Sequence, residues 1–107
     1  MKKESEKTTE IYLRTQIEAL GGVCWKWVSP MVKGVPDRIC LLPGGHIFFV
    51  EVKSEGRILD GAQCRRANDL KKRGFRSYIA DTKFKVDQII KAEIRRHNDK
   101  ATDETAK

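Results

Sequence analysis

The segment of residues 46–53 constrains the fold most, because it has the composition of a strand that is covered on both sides. Successive side chains of a strand point to opposite faces of the sheet. One face of this segment carries Phe48, Val50 and Val52, and the other begins with Ile47 and Phe49. Both faces begin apolar, which is typical of a strand buried on both sides of its sheet. We therefore expect a sheet with helices on either side of it.

The other segments place this strand in a small α/β fold with the order α-β-β-β-α-β-α. Apolar residues at helical spacing predict three helices, and alternating or β-branched runs predict the other strands. We expect a mixed central β-sheet flanked by helices, with Thr9 and Asp60 as helix N-caps and residues 43–45 as a hairpin connection. The predicted elements are a helix over residues 9–20, strands over 23–28, 37–42 and 46–53, a helix over 60–73, a strand over 76–80 and a last helix that includes Val86 to Ile94.

A chain of 107 residues has the usual size of one domain. We expect one folded unit over residues 9–97, a flexible N-terminal arm over residues 1–8 and a disordered charged tail over residues 98–107. No apolar stretch reaches the roughly 18 residues that a membrane span needs. The charged first residues also lack the apolar segment of a secretory signal. We therefore expect a cytosolic protein.

The charge of the chain favours polyanionic partners. Lys and Arg number 22 against 15 Asp and Glu, which gives a formal net charge of +7. Such a balance in a small domain indicates nucleic acid first and an anionic membrane surface second. A merely solvated surface is the alternative. The three cysteines and two histidines are too few and too poorly spaced for a zinc site, so we expect reduced, partly buried thiols.

Two charged residues interrupt the apolar face of the strand over residues 46–53. Glu51 and Lys53 lie two residues apart on the face of the strand that also carries Phe49. A buried charge costs several kcal/mol unless it is paired or holds a metal ion. A strand end that emerges into solvent with a surface Glu–Lys pair is the alternative.

Asp37 opens the preceding strand and lies at the same end of the sheet as Glu51 and Lys53. Cross-strand partners share a face. Asp37 therefore joins Glu51 only if it pairs with residue 51 or 53, which requires a hairpin loop of odd length or a bulge. Ile39 and Leu41 suit either face, so the apolar pattern leaves the register open, and an ordinary turn aspartate is the alternative.

Glu10 is the acid of the first predicted helix that borders its apolar stripe. It precedes Leu13 by three residues and Ile17 by seven, whereas Glu18 lies well round the other side. If an acid of this helix reaches a site at the sheet, the spacing favours Glu10. The alternative is a glutamate that only complements the macrodipole at the helix N-terminus.

Gln63 is an amide on the apolar stripe of the second helix, in line with Ala67 and Leu70. That position makes it a candidate site residue. The spacing Asp60-x-x-Gln63 also resembles a capping box, in which the amide reaches back to the N-cap N–H. The two roles do not exclude each other.

These residue types together suit phosphodiester hydrolysis. Two carboxylates, Asp37 and Glu51, with the backbone carbonyl of Val52, are a sufficient ligand set for Mg²⁺, which keeps several waters. Lys53 can orient the nucleophilic water and offset charge on the phosphate in the transition state. Gln63 can position that water or Lys53, and Glu10 can hold a water on the metal or a second cation.

The candidate residues resemble the VRR-NUC family of virus-type replication-repair nucleases, which belongs to the PD-(D/E)XK superfamily. The resemblance rests on Gly-Val-Pro-Asp at residues 34–37, Phe-Val-Glu-Val-Lys at residues 49–53, Gln63 on a helix, and Glu10 at the position of the family's N-terminal helical glutamate. It covers about residues 9–81. A bare D…ExK pattern is weak, but this ordered set is much more specific.

The resemblance implies a PD-(D/E)XK restriction-endonuclease-like fold and DNA cleavage that depends on Mg²⁺ or Mn²⁺. The chain looks like the stand-alone type of phages and bacteria, which is similar to homodimeric Holliday-junction resolvases. The expected site is then catalytic Glu10, Asp37, Glu51, Lys53 and Gln63, with metal bound by Asp37, Glu51, the Val52 carbonyl and, through water, Glu10. The expected partners are branched DNA and a second copy of the chain.

Candidate phosphate contacts surround this predicted site, although each is also compatible with a solvated surface. They are Lys26, Lys33, Arg57, Arg65 and Arg66. Trp25 and Trp27 alternate with Lys26 and suit a core or a dimer interface better than base stacking. The competing hypotheses are a non-catalytic nucleic-acid-binding protein with a structural ion-pair network and a partner-recruiting subunit whose charge serves only solubility.

Overall fold

The protein, analysed as a computed structural model, is described over residues 3–106, with side chains described to residue 100. Residues 1, 2 and 107 lie outside the described residues. The order of elements is α-β-β-β-α-β-α, as the sequence predicts. The elements are α1 (Glu6–Ala19), β1 (Val23–Lys26), β2 (Arg38–Leu42), β3 (His46–Val52), α2 (Gly61–Lys72), β4 (Ser77–Ala80) and α3 (Lys83–Ala106).

The four strands form one mixed sheet in the order β1-β2-β3-β4. The pairs β1–β2 and β2–β3 are antiparallel, whereas β3 and β4 are parallel. β3 therefore has a neighbour on each edge. Six of its seven residues are buried, which confirms the interpretation of this segment as a strand covered on both sides.

The main core lies between one face of the sheet and helices α1 and α3. Leu13 and Ile17 of α1 and Val86 of α3 are fully buried there against Phe48 and Val50 of β3. The apolar periodicity of both helices accounts for this packing, because residues three or four apart share one helix face.

The opposite face of the sheet carries an aromatic group. The ring of Phe49 lies 5.3 Å from that of Trp27 and 6.1 Å from that of Phe75, measured between centroids. Trp27 is thus half-buried packing on the sheet, as the sequence favours. Trp25 is 59% exposed on the edge strand β1, so it does not belong to the core.

The hairpin between β2 and β3 decides the register that the sequence leaves open. Leu42 pairs with His46 across a turn of three residues, and Arg38 pairs with Val50. Continuing this register by one residue brings Asp37 opposite Glu51. The turn has the odd length that this pairing requires, and two of its residues are glycines at positive φ, a conformation that glycine adopts without steric cost.

A buried polar group holds α3 against the sheet far from Glu51. Glu93 of α3 is fully buried, and its carboxylate accepts hydrogen bonds from Arg76, at 2.9 Å to each oxygen, and from Tyr78. His46 lies 2.6 Å from the same carboxylate. Burial opposes ionisation, but the hydrogen bonds from Arg76, Tyr78 and His46 outweigh it and hold the pKa of Glu93 below its usual value.

Two helices extend beyond the sequence-based boundaries. α1 begins at Glu6, because Ser5 caps it by accepting a hydrogen bond from the N–H of Thr8 at 3.1 Å. Thr9, the expected cap, is instead a buried residue inside the helix. α3 continues to Ala106 where a disordered tail from residue 98 is expected. Extending an existing helix costs far less than nucleating one, and a polar sequence carries no apolar stripe to signal the extension.

Two of the three cysteines are buried in the sheet. Cys24 and Cys40 are buried cross-strand partners with their sulfur atoms 3.8 Å apart, both as free thiols, whereas Cys64 is exposed. Among the described residues, no helix combines the length and the apolar character needed to cross a membrane.

Candidate active site

Two carboxylates meet where β2 begins and β3 ends. Asp37 is half-buried, and its Oδ2 accepts a hydrogen bond from the backbone N–H of Val52 at 2.9 Å. Glu51 is only 4% exposed. The Asp37 carbonyl also accepts from the N–H of Trp27 at 2.8 Å, so β1 helps to fix the position of Asp37. The structure therefore brings together two of the predicted ligands on one face of the sheet.

The electrostatics of Glu51 are those of a carboxylate that lacks a compensating charge. Burial, followed by the negative charge of Asp37, raises the pKa of Glu51 to about 8. The ammonium of Lys53 acts in the opposite direction but does not restore the ordinary value. Two carboxylates placed together in a poorly hydrated position repel each other, so this pair gains from any cation that enters between them.

Gln63 takes part in a capping box and also contacts Glu51. Its Oε1 accepts from the N–H of Asp60 at 3.0 Å, while Asp60 Oδ1 accepts from the N–H of Gln63 at 2.8 Å, which completes a capping box. Its Nε2 donates to Glu51 Oε1 at 3.0 Å. The first turn of α2 is therefore tied directly to the buried carboxylate.

The remaining oxygen of Glu51 is the feature that most directly suits a metal ion. Glu51 Oε2 is buried and has no hydrogen-bond partner, although a buried acceptor without a partner normally costs free energy. Oxygens of Asp37 and Glu51 and the carbonyl of Val52 are ligands that Mg²⁺ and Mn²⁺ accept. Among the described residues no group of three or more His, Cys, Asp or Glu side chains is placed to hold a metal ion. Two carboxylates and one carbonyl would leave the other coordination positions of Mg²⁺ to water, so the site fits a hard cation that keeps several waters.

Glu10 of α1 contacts a buried cation of β2. Its Oε1 forms an ion pair with Arg38 at 2.8 Å. The Arg38 guanidinium is buried and also donates to the carbonyl of Cys24 at 3.0 Å. Arg38 alternates with Asp37 along β2, so it points to the face that α1 covers. Glu10 is thus held beside the candidate site, in contact with a cation of this chain.

A second acid of α1 has a small electrostatic influence on the carboxylate pair. The charge of Glu6 contributes to the raised pKa of Glu51, and Glu6 is exposed in the first turn of the helix. The sequence pattern alone does not single out Glu6 or Arg38. Glu6 lies in the segment expected to be a flexible arm, and a buried arginine within an apolar strand run shows no partner in the sequence.

The five candidate phosphate contacts lie in the loops and helix around the carboxylate pair. Lys26 ends β1, Lys33 and Arg57 lie in loops, and all three are exposed. On α2, Arg65 is exposed, whereas Arg66 is half-buried and lies 3.2 Å from Asp69. Four of the five side chains are therefore free to meet a polyanion, and Arg66 is engaged within its helix.

Comparison with known proteins gives two informative similarities. No family model matches the chain. Protein p44 of Acyrthosiphon pisum secondary endosymbiont phage 1, a candidate nuclease, is 45% identical over 51 residues, which are 48% of this chain. The match covers 55% of p44, so the chain spans about half the length of that relative.

A solved structure described as a VRR_NUC domain is similar over most of the fold. It superposes with a TM-score of 0.76 at 31% sequence identity, and the match covers 82% of this chain and 97% of that one. The shared topology, the sequence identity and the ordered motif of Asp37, Glu51, Lys53 and Gln63 agree with one another. The chain therefore belongs to the VRR-NUC family of nuclease domains.

Proposed function

We propose that this protein is a metal-dependent endonuclease that hydrolyses phosphodiester bonds in DNA. The observation that carries the proposal is the buried Glu51 carboxylate, which has one oxygen without a partner and lies beside Asp37 at the end of the sheet. A protein that only bound DNA would have no use for two acids where a phosphate must approach, because acids repel DNA unless a cation intervenes.

Each side chain of the site has a separate role in the proposed reaction. A bound Mg²⁺ or Mn²⁺ would polarise the scissile phosphate and lower the pKa of water. Asp37, Glu51 and the Val52 carbonyl would hold the cation. Lys53 would orient the attacking water and offset negative charge as it develops on the phosphate. Gln63 would fix the rotamer of Glu51 through the hydrogen bond from Nε2.

The acids of α1 have separate roles in this proposal. Glu10 would position the site indirectly, because its ion pair with Arg38 joins α1 to the strand that presents Asp37. Glu6 is exposed in the first turn of α1 and would add negative charge near the cation. In this proposal Glu10, the expected helical glutamate, acts through Arg38. A direct contact from Glu10 to the metal would require the Glu10–Arg38 ion pair to open.

We propose branched DNA as the substrate and a homodimer as the active form, by analogy with Holliday-junction resolvases. Symmetric resolution of a four-way junction needs two coordinated cuts, and a domain of this size presents one site. A C₂ dimer supplies the second site. Its formal charge would be +14, twice +7, which would steer the dimer towards the crossing of four backbones.

A cleavage panel tests the proposed function. Linear duplex, flap, fork and four-way junction are incubated with Mg²⁺, Mn²⁺ or EDTA. Cleavage is expected with either metal and absent in EDTA. Asp37→Ala and Glu51→Ala should abolish it while circular dichroism stays unchanged. Glu18→Gln is a matched control, because Glu18 is an exposed acid of α1 that pairs only with Arg14.

Glu51→Gln separates the nuclease from a non-catalytic DNA-binding protein. In a nuclease this variant stops cleavage while DNA affinity without metal stays equal or rises, because one negative charge is lost. Undiminished cutting by either purified Ala variant would contradict the metal assignment. DNA binding by the wild type without cleavage of any substrate would favour the pure binding protein.

A further inference from the structure

The three most exposed large apolar side chains among the residues with described burial lie close to the candidate site in sequence. Met31 is 91% exposed, and Val28 and Ile58 are each 81% exposed. Leaving an aliphatic side chain in water contributes nothing to folding. Single exposed apolar residues are ordinary, but a concentration of the most exposed ones around one site calls for a function.

These residues lie in two loops that bracket the carboxylate pair. The entry loop, residues 27–36, leads directly into Asp37 and carries Val28 and Met31. The exit loop, residues 54–59, follows Lys53 and ends at Asp60, the N-cap of α2. Each loop is therefore continuous with a strand end that carries one of the two carboxylates.

The backbone of the entry loop is held in place. Gly34 has a φ of +84°, and a Cβ at this position would come within 2.3 Å of the carbonyl oxygen of Ala62. The loop thus rests on the first turn of α2, next to Gln63. At its start, the N–H of Trp27 donates to the Asp37 carbonyl at 2.8 Å. Met31 projects into solvent from a loop that is tied to the site at both ends.

The exit loop is held in a similar way. The N–H of Gly56 donates to Asp81 Oδ2 at 3.0 Å, and the N–H of Arg57 donates to the Ser54 carbonyl at 3.0 Å. Glu55 pairs with Glu4 through its own N–H at 3.2 Å. Ile58 is therefore presented from a braced turn, which reduces the conformational entropy that a partner would have to remove.

Each exposed apolar tip has an exposed cation beside it. Lys33 follows Met31 by two residues, and Arg57 directly precedes Ile58. A nucleotide offers an apolar base face and a charged phosphate. An aliphatic side chain can contact the base face while the neighbouring cation contacts the phosphate. Aliphatic residues inserted between bases are wedges that unstack a step, whereas non-specific stacking platforms use aromatic rings.

We propose that Met31 and Ile58 form a wedge that inserts between bases of DNA at a branch point, next to the phosphate at the candidate site. The wedge rests on the proposed nuclease function and names the substrate class that the site selects. Unstacking a base is costly within a continuous duplex and cheaper where pairing is already interrupted. A wedge on the loops next to the site would therefore make a junction or fork easier to seat than a linear duplex.

The first test reads base unstacking without any cleavage. Wild-type protein in EDTA binds a four-way junction that carries 2-aminopurine next to the branch point. Its fluorescence should rise on binding, because unstacking removes quenching. In Met31→Gln/Ile58→Gln most of the rise should be lost, because a polar side chain gains little from insertion between apolar base faces. Met31→Leu/Ile58→Leu should retain the rise.

A matched control and a second readout distinguish the wedge from general loss of affinity. Leu20→Gln alters an exposed apolar residue at the far end of α1 and should leave the fluorescence unchanged. With Mg²⁺, the Gln double variant should cut junctions more slowly while its rate on linear duplex stays the same. All variants should elute at the wild-type size, because the changed side chains are exposed.

Equal fluorescence in saturated complexes of the wild type and the Gln double variant would overturn the wedge, whatever the cleavage results. A change in oligomeric state of the double variant would overturn it as well, since Met31 and Ile58 would then belong to an interface between copies. Failure of the wild type to cleave any substrate would instead remove the proposed function, and the fluorescence experiment keeps these results apart.

Discussion

At the scale of single residues, the candidate site is defined by a carboxylate that the fold leaves without full compensation. The pKa of Glu51 is raised to about 8, chiefly by burial and then by Asp37. In an unfolded chain the same group ionises near its ordinary value of 4.5. The folded protein therefore binds this proton more tightly than the unfolded chain, and ionisation of Glu51 works against folding.

The first prediction follows from the sign of this shift. The stability that the protonated Glu51 contributes is fully present below about pH 4.5, declines as the pH rises, and is lost above about pH 8. Glu51→Gln should raise the free energy of unfolding of the metal-free protein by a few kcal/mol at pH 9 relative to wild type. One pKa unit corresponds to about 1.4 kcal/mol. Urea titrations at pH 5, 7 and 9 measure it, and a difference that does not grow with pH would contradict it.

The second prediction concerns the two ends of the Gln63 amide. Gln63→Glu keeps an oxygen that accepts from the N–H of Asp60, but it removes the donor to Glu51 and adds a negative charge there. Cleavage should fall at least about tenfold, as is typical for residues that support a site, with little change in melting temperature. Asp60→Ala is the control, since it should cost about 1 kcal/mol of helix capping and leave cleavage largely intact. A lower melting temperature of Gln63→Glu with unchanged cleavage would show that Gln63 serves only as a helix cap.

At the scale of elements, α1 contributes two acids whose surroundings differ. Glu10 is paired with the buried guanidinium of Arg38 at 2.8 Å, which places it in the packing between α1 and the sheet. Glu6, one helical turn earlier, is exposed and affects the pKa of Glu51. α1 therefore carries one acid held in an ion pair and a second, exposed acid whose charge contributes to the raised pKa of Glu51.

The third prediction separates these two acids. Glu10→Gln leaves the buried Arg38 charge without its partner, which typically destabilises a protein by about 3 kcal/mol or more. Glu6→Gln should leave the melting temperature unchanged and weaken Mn²⁺ binding, because it removes a charge near the pair. Thermal melts in EDTA and Mn²⁺ titrations followed by electron paramagnetic resonance measure the two effects. If Glu10→Gln alone weakens Mn²⁺ without lowering stability, Glu10 contacts the metal directly.

At the scale of the whole molecule, the edge strand β1 is the better candidate for contact between copies. Trp25 is 59% exposed and Val23 36% exposed on this edge, whereas Trp27 packs on Phe49. The apolar face of α3 is mostly occupied by the core. Exposed aromatic and aliphatic residues are typical of interface centres. α3 also has one, Phe84, but β1 is an edge strand whose unpaired backbone groups can pair with a second copy, so β1 is favoured over α3.

The fourth prediction tests dimerisation and its consequence for cleavage. Light scattering at micromolar concentration should give twice the monomer mass for the wild type and the monomer mass for Trp25→Ala. The variant should nick a four-way junction once instead of resolving it by paired cuts, since only one site then engages each junction. Phe84→Ala is the matched control, because Phe84 is an exposed aromatic residue of α3. A wild-type monomer that cuts linear duplex as fast as junctions would rule out the resolvase proposal.

The sequence by itself determined the order of elements, the central strand and the cap of α2. Each of these depends on residues close together in the chain: alternation within β3, helical spacing in α1 and α3, and the short spacing between Asp60 and Gln63. The ordered motif also indicated the family, because a motif is defined by residue types and their order. It can therefore be identified in a sequence without knowing which residues are in contact.

Only the tertiary structure decided which side chains meet. The register that sets Asp37 opposite Glu51 depends on backbone pairing across the hairpin, and the face pattern of β2 allowed either choice. The pairing of Glu10 with Arg38 joins a helix to a strand 28 positions later in the chain, and no local pattern encodes such a contact. The raised pKa of Glu51 likewise depends on burial by distant residues, because solvation is a property of the assembled fold.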